Sequence, residues 1–487
     1  MDLQKVFQTI DSSRAEMISS LSALISIPSV AVRTEGRQPF GAHVQKAYEQ
    51  MLSMAEKEGF SIWNADNFGG HFDFRGKGSG IFGIVGHLDV VPEGDGWDFD
   101  PYGGEVIDGY ICGRGATDDK GPVIASFYAM KALKDCGFVP DKTVRMILGL
   151  DEETDWEGME HYLAFAEETP DCGFTPDGDF PVIHGEKGIL IFDLARKFGR
   201  VSGKGMELRS FTGGTAANSV ADRARAVILD TTGTGYDDVR QLLRQIREER
   251  GWKIRSKGIG KSLEITTEGV SAHGARPDQG LNAISMMMDI LGALRFVNEE
   301  AAQFIQFYNE HIGFDLHGER MDCDLEDTPS GRLVWNTGMI ELDQKSVRLT
   351  INIRYPVTCD DEDVYRRITE IIDPYDIGII KGKHELPIYL PADDPMIETM
   401  MDIYRRHTGD TESTPLVIGG GTYARAMDHI VAFGARFPDE PELCHQRNEK
   451  ISADALVKLA KIYAETICVL AGEAPADEEP SPAPKTE

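Results

Sequence analysis

A histidine that could bind a metal ion, His87, and a carboxylate that could orient it, Asp89, stand at the end of an apolar, strand-like run that begins at Ile81. Side chains alternate faces along a strand, so residues i and i+2 point the same way and can share a pocket at the C-terminal edge of a sheet. A carboxylate beside a metal-binding histidine fixes the ring tautomer and raises its basicity. The run predicts a metal-binding His87 oriented by Asp89, although a strand-capping turn with an incidental histidine explains it equally well.

A second candidate group is the acidic pair Asp118-Asp119, which stands in a glycine-rich loop. The loop ends at Gly121-Pro122, and the segment Val123–Cys136 has the periodicity of an amphipathic helix. The two acids therefore precede a helix N-terminus. Capping of that helix and complementation of its dipole are the structural alternative to metal binding.

Further acids and a second histidine occupy comparable positions. The predicted strand Thr143–Leu150 is followed closely by Glu152 and Glu153, Asp177 lies in a later turn, and His445 lies near the end of the chain. A solvated acidic turn is the alternative for the two glutamates. Histidines and carboxylates that converge at strand ends are typical of α/β active sites, so we expect this set to form one site.

The length and composition of the chain limit its domain number, its partners and its compartment. A chain of 487 residues is too long for one compact core, so two domains or one domain with a large insertion are expected. The net charge of −31 argues against nucleic acid or an anionic membrane as a partner. Seven scattered cysteines without CxxC spacing predict reduced thiols, and the N-terminus has no basic region followed by an apolar run. We therefore expect a cytoplasmic, unexported protein.

The elements that must position the site alternate between helix and strand. Helices are predicted at Ser12–Ile27, Ala42–Glu58, Val123–Cys136, Gly158–Glu168, Asp237–Glu249, Asn282–Leu294, Met396–His407 and Ser452–Leu470. The acidic turns cease after Gly188, which indicates an inserted domain. The predicted division is a catalytic domain in two parts, 1–188 and 386–471, an inserted domain at 189–385, and a Pro-, Ala- and Glu-rich disordered tail at 472–487.

Taken together and in order, these motifs resemble a family. The order is His87-x-Asp89, the Gly-Arg-Gly-Ala-x-Asp-Asp119-Lys-Gly run, Glu152-Glu153, Pro-Asp177, Ser-Ala-His273 and His445. It is similar to that of the dinuclear metallopeptidases that include aminoacylases, carnosinases and succinyl-diaminopimelate desuccinylases, and most similar to the PepV-type dipeptidases. The resemblance implies an α/β fold: a mixed-sheet catalytic domain flanked by helices, with an inserted α+β lid domain.

The resemblance also implies a ligand set. His87, Asp119 and Asp177 would hold one metal ion, and Asp119, Glu153 and His445 the other, with Asp119 bridging. Two adjacent dications need several anionic ligands, and imidazoles with carboxylates suit zinc, which we expect first, or manganese or cobalt. Glu152, beside a ligand, would be the general base that activates a metal-bridging water.

For the inserted region, the resemblance implies contacts with the substrate. His273 would stabilise the developing oxyanion, Asn218 and Arg354 would contact the substrate, and Gly420, within a glycine run, would lie near its carboxylate. A guanidinium reads a carboxylate bidentately, so Arg354 suits a C-terminal anchor. A small dipeptide substrate and a monomeric enzyme follow from this comparison.

Three functional hypotheses remain open on the sequence. A metal-dependent dipeptidase is the first, and an amidohydrolase that deacylates N-acyl or N-succinyl amino acids is the second. A non-catalytic metal-binding scaffold is the third, but it should lack the base, and Glu152 is present. The motif Asp151-Glu-Glu-Thr-Asp-Trp156 departs from related sequences, which leaves the shape of this loop open.

Overall fold

A computed structural model describes residues 1–201 and 203–473. The chain divides into two compact units. The first unit comprises Met1–His184, Leu390–Leu416 and 421–473, and the second comprises Gly185–Tyr389 and Val417–Gly420. No described helix is long and apolar enough to cross a bilayer.

The described residues form eleven α-helices and 22 strands. The helices are α1 (Leu3–Ser12), α2 (Arg14–Ile25), α3 (Ala42–Lys57), α4 (Lys120–Asp135), α5 (Glu157–Phe165), α6 (Asp237–Arg250), α7 (Ala283–Gly292), α8 (Glu299–His311), α9 (Asp361–Ile372), α10 (Pro395–Thr408) and α11 (Ala453–Leu470). The strands are β1 (Ser61–Asn64), β2 (Gly70–Phe74), β3 (Ile81–His87), β4 (Val106–Ile107), β5 (Tyr110–Cys112), β6 (Thr143–Gly149), β7 (Cys172–Thr175), β8 (Ile183–Glu186), β9 (Gly188–Lys197), β10 (Met206–Gly213), β11 (Arg223–Asp230), β12 (Lys253–Ile259), β13 (Ser262–Glu268), β14 (Glu326–Asp327), β15 (Gly331–Arg332), β16 (Val334–Asp343), β17 (Ser346–Tyr355), β18 (Gly378–Glu385), β19 (Ile388–Tyr389), β20 (Leu416–Ile418), β21 (Ile430–Ala432) and β22 (Lys450–Ser452).

Three parallel strands at the centre of the first sheet position the candidate site. The sheet order is β1-β2-β6-β3-β7-β21-β8-β19, and β3 runs parallel to both β6 and β7. Every residue of β3 is buried, which suits a central strand covered on both faces. Because these three strands run in one direction, their carboxyl ends meet at one edge. His87 ends β3 at that edge, and the segments that follow β6 and β7 carry Glu152, Glu153 and Asp177 to it.

Helices α4 and α11 cover this sheet with apolar side chains. Val123, Ile124 and Leu133 of α4 are buried in the same core as Leu456 and Leu459 of α11. Helix α11 begins at the cap Ser452, whose side chain accepts from the Ala455 amide. The pairing of the core helices thus holds the N-terminal and C-terminal parts of the chain in one unit.

The second unit is built on a separate antiparallel sheet. Its strand order is β12-β13-β11-β10-β16-β17-β9-β18, and it has its own hydrophobic core, which includes Phe211, Met287 and Trp335. The predicted insertion spanned 189–385, whereas the unit spans Gly185–Tyr389 and also takes in Val417–Gly420. The amide of Lys187 donates to the carbonyl of Ile418 at 2.9 Å, and this hydrogen bond attaches Val417–Gly420 to the rest of the second unit.

The predicted fold class is confirmed: a mixed sheet flanked by helices, with a second α+β unit. The helix predicted at Ser12–Ile27 is α2, which begins at Arg14 because Ser13 leaves the helical conformation with ψ near 0°, and the sequence did not predict α1, Leu3–Ser12. The sequence also missed α8 and α9, which lie in the second unit. Apart from Gly472 and Glu473, the predicted disordered tail lies outside the described residues.

Candidate metal centre

His87 lies in the buried part of the candidate site, at the end of β3. It is fully buried, and its Nδ1 lies 3.0 Å from the backbone carbonyl oxygen of Asp89 and 3.4 Å from the Asp89 carboxylate. A carbonyl oxygen can only accept, so Nδ1 carries the proton and Nε2 is left to act as a ligand. Asp89 therefore orients the ring, mainly through its backbone carbonyl rather than through the predicted carboxylate.

Asp118, and not Asp119, lies between the two histidines. Its Oδ1 is 3.0 Å from Nε2 of His87, and its Oδ2 is 3.1 Å from Nε2 of His445. Asp119 Oδ2 instead accepts the backbone amide of His87 at 3.1 Å, and its Oδ1 has no hydrogen-bond partner among the described residues. The geometry therefore favours Asp118 over the predicted Asp119 as the bridging carboxylate, because the loop conformation before α4 turns the first acid toward the histidines and the second away from them.

The acidic segment after β6 is anchored by Asp89. The Asp89 carboxylate accepts the amide of Glu152 at 3.1 Å and the amide of Glu153 at 3.0 Å. The Asp151 carboxylate accepts the amide of Gly158, and the Trp156 indole donates to the Glu152 carbonyl at 2.7 Å. These contacts determine the shape of the loop that the sequence left open, and they hold both glutamates at the sheet edge.

Asp177 and His445, which are distant in sequence, complete the set. Asp177 Oδ2 lies 3.8 Å from Nε2 of His87, and the Glu153 Oε2 atom lies 3.0 Å from Nε2 of His445. His445 has a left-handed backbone with φ +61°. Glu153 therefore lies on the His445 side of the cluster and Asp177 on the His87 side.

The electrostatics of the cluster favour added positive charge. Burial raises the pKa of Glu152 well above its usual value, and burial, assisted by the charge of Asp118, raises the pKa of Asp177 to about 7. Burial also raises the pKa of Glu153, next to Asp118. Carboxyl groups crowded in this way ionise readily only when a cation offsets their repulsion.

The donor set fits divalent metal ions. Candidate ligand atoms of His87, Glu152 and Asp177 lie within 4.8 Å of one another, as do those of His87, Asp118 and Glu153. Together with His445, the site has two imidazoles and four carboxylates. This set of nitrogen and oxygen donors is typical of zinc, manganese or cobalt sites and contains no thiolate.

Glu449 is a residue of the site that sequence reasoning missed. Its buried carboxylate accepts hydrogen bonds from the backbone of the loop that carries Asp118, including the amide of Asp118 itself at 3.2 Å. The only signal in the sequence was an acid four residues after His445, which is common on any surface. Its partners lie more than 300 residues earlier, so only the fold reveals them.

The four remaining predicted residues lie together within the second unit. The carbonyl of Asn218 accepts the amide of Gly274, and Ser219 pairs with His273 as an isolated bridge. Arg354 is buried, with its Nε donating to Asn352 Oδ1 at 3.1 Å. Gly419, the residue before Gly420, lies against Arg354: a Cβ atom added to Gly419 would be 3.7 Å from the Arg354 Cγ atom.

Comparison with known sequences finds one family model. The model described as "Peptidase family M20/M25/M40" matches residues 83–468. A protein of Staphylococcus haemolyticus named "Putative dipeptidase" is 36% identical over 471 residues, covering 96% of this chain and 99% of that protein. A second protein with this name, from Bacillus subtilis, is 36% identical over 463 residues, covering 94% and 98%.

Solved structures share the fold at low sequence identity. Human carnosine dipeptidase 1 matches with a TM-score of 0.58 and 18% identity, covering 97% of this chain and 99% of that chain. The dipeptidase Dug1p from Saccharomyces cerevisiae matches with a TM-score of 0.56 and 15% identity, covering 96% and 98%.

Proposed function

The chain belongs to peptidase family M20/M25/M40, and from this premise we propose that it is a dipeptidase that requires two divalent metal ions. The observation that carries the proposal is Asp118, whose two carboxylate oxygens each lie about 3 Å from a different histidine. A carboxylate in that position can serve two ions at once. The dipeptidase names of relatives that match almost the whole chain support the substrate class.

We propose the following division of ligands. His87, Asp118 and Asp177 would hold one ion, and Asp118, Glu153 and His445 the other. Zinc is the first candidate, since two imidazoles with carboxylates suit it well, and manganese and cobalt suit the same donors. When bound, the ions would polarise the scissile carbonyl and acidify the attacking water.

Glu152 would move the proton during hydrolysis. The Asp89 carboxylate accepts a hydrogen bond from the Glu152 amide, and the Trp156 indole donates one to the Glu152 carbonyl. These two contacts fix the backbone position from which the Glu152 side chain extends. Glu152 would accept the proton of the attacking water and deliver it to the leaving nitrogen as the C–N bond breaks. The raised pKa of Glu152 suits a group that must hold a proton between these two steps.

The second unit would supply contacts to the substrate. His273 would stabilise the oxyanion, Arg354 would pair with the free carboxylate of the dipeptide, and Asn218 and Gly420 would lie along the substrate. The support is the resemblance in motif order and the grouping of these residues within the unit. We propose further that the enzyme is cytoplasmic, which suits its seven free cysteines, and that it acts as a monomer, as the resemblance implies.

The decisive experiment is metal reconstitution with a substrate panel. Protein stripped by chelation should lose the ability to release amino acids from unblocked dipeptides and regain it on addition of zinc, manganese or cobalt. Matched N-acetyl amino acids, which lack the free amine, separate a dipeptidase from an amidohydrolase. Faster turnover of the N-acetyl compounds would overturn the dipeptidase proposal, and full activity after metal removal would overturn the metal requirement.

A further inference from the structure

We propose that Glu449 is a positioning residue for the metal site that contains His445, and that this site exchanges its ion more readily than the site that contains His87. This inference rests on the proposed dinuclear centre. It assigns a function to a buried glutamate that is not itself a ligand, and it makes the two metal positions unequal.

Glu449 ties together two ligand-bearing segments that are distant in sequence. Residue 449 immediately precedes strand β22, and β22 pairs with β5 so that Lys450 lies opposite Cys112. The Gly113 amide donates to the Glu449 carbonyl at 3.0 Å. This pairing sets the C-terminal segment that carries His445 against the loop that carries Asp118.

The Glu449 carboxylate then holds that loop through five hydrogen bonds among the described residues. Oε1 accepts from the amide of Thr117 at 2.8 Å, its hydroxyl at 3.0 Å and the amide of Asp118 at 3.2 Å. Oε2 accepts from the amide of Gly115 at 3.0 Å and from Nη1 of Arg114 at 2.8 Å. The loop backbone is thus shaped around one fully buried side chain.

Arg114 extends the same link to the histidine segment. Its Nη1 also donates to the carbonyl of Gln446, the residue after His445, at 3.2 Å. The guanidinium lies 5.2 Å from the ring centroid of Trp97. Through Arg114, Glu449 fixes the separation of Asp118 and His445, two of the three ligands proposed for one ion.

The two positions differ in their exposure to solvent. The side chain of His87 is inaccessible, whereas that of His445 is 53% exposed and stands on an irregular segment. His87 is held directly by a strand and by Asp89, but the position of His445 depends on the Glu449 and Arg114 contacts. An ion at the His445 side therefore has the more open route to water and the less rigid ligand.

The test is Glu449→Gln, with metal binding as the readout. In this variant the NH2 group of the glutamine side chain replaces one carboxylate oxygen and cannot accept hydrogen bonds from the backbone amides that face it. The Asp118 loop should therefore shift. Outer-sphere changes typically weaken metal binding by about 10- to 100-fold. Asp118 would serve both ions, but only the His445 segment is also tied to Glu449 through Arg114. Calorimetric zinc titration of the stripped protein should therefore show the larger loss at one of the two sites, with faster release of that ion to a chelator.

Two further variants separate positioning from general damage. Thr117→Val removes a single hydroxyl donor to Glu449 and should weaken the same site by a smaller factor. Glu465→Gln is the matched control, because Glu465 is also a buried glutamate paired with an arginine and a histidine, Arg406 and His407. It should lower the melting temperature while leaving both zinc affinities unchanged.

The outcomes distinguish this inference from the proposed function. Wild-type protein that binds fewer than two zinc ions would contradict the dinuclear centre itself. Two wild-type sites that Glu449→Gln leaves unchanged, or weakens equally, would overturn the role of Glu449. Faster release of the ion from the His87 side, assigned with a His445→Ala variant, would overturn the proposed order of exchange.

Discussion

Neighbouring acidic residues in this centre have different surroundings, and this difference decides what each can do. Asp118 contacts the imidazole rings of both histidines, whereas Asp119 accepts a hydrogen bond from the backbone amide of His87. Glu153 contacts His445, whereas Glu152 lies with His87 and Asp177. A shift of one residue along the chain therefore separates the proposed bridging ligand Asp118 from Asp119, and the proposed ligand Glu153 from the proposed base Glu152.

The first prediction compares Asp118→Asn with Asp119→Asn. Asp118→Asn should lower the metal content from two equivalents to one or fewer and abolish turnover, since one amide oxygen cannot serve two cations. Asp119→Asn keeps an acceptor for the His87 amide and should retain both ions. Elemental analysis of the two purified variants is the measurement. Two full equivalents in Asp118→Asn would exclude it as the bridge.

The second prediction compares Glu152→Gln with Glu153→Gln. Glu152→Gln should keep both ions and bind substrate, yet lose at least about two to four orders of magnitude in kcat, the usual range for general acid–base catalysis. Glu153→Gln should weaken metal binding and regain some activity in excess metal. Steady-state kinetics with metal titration tests both. The reverse pattern would show that the base and the ligand are exchanged.

At the scale of elements, strand β2 carries a buried histidine that makes the first unit sensitive to acid. His71 stacks on Trp63, and its Nδ1 lies 2.8 Å from the hydroxyl of Tyr162. Burial, together with the charge of Arg145, lowers the pKa of His71 to about 4. Between about pH 6.5 and pH 4, the unfolded chain takes up a proton that the folded strand excludes.

The third prediction follows from this shift. As pH falls through that window, His71 should remove on the order of 3 kcal/mol of stability, all of which is present above pH 6.5. His71→Gln should therefore show a flatter decline in melting temperature between pH 7 and pH 4.5, measured on metal-free protein. His43→Gln, at an exposed position of α3, should keep the wild-type slope. Equal slopes for all three proteins would contradict the prediction.

At the scale of the whole molecule, the two units have separate cores, and the candidate metal centre belongs entirely to the first. Its proposed ligands come from Met1–His184 and from the segment after residue 421, whereas the second core is drawn from residues between Leu190 and Ile377. Stabilisation by a bound ion therefore acts directly on only one of the two units.

The fourth prediction concerns hydrogen exchange with and without zinc. At a free concentration of about 100 times Kd, each ion should stabilise the first unit by roughly 2.7 kcal/mol. Exchange of the amides of β3, β6 and β7 should slow accordingly, while those of β11 and β13 in the second unit should change little. Equal protection of both units would show that the metal stabilises them as a single cooperative body.

The sequence by itself determined the fold class and the sheet edge that carries the candidate site. Apolar runs that end in His87, in the pair Glu152-Glu153 and near Asp177 are local patterns, and strand periodicity is enough to place them at one edge. Their order along the chain also identified the family. Helices such as α3, Ala42–Lys57, were predicted to within one residue for the same reason.

Only the tertiary structure decided which aspartate lies between the histidines and which glutamate supports it. Asp118 and Asp119 stand in a loop without periodicity, so the direction of each side chain depends on the backbone that Glu449 holds from more than 300 residues away. Hydrogen bonds between residues so far apart along the chain leave no local pattern in the sequence. They form only when the sheet and its helices have brought the segments together.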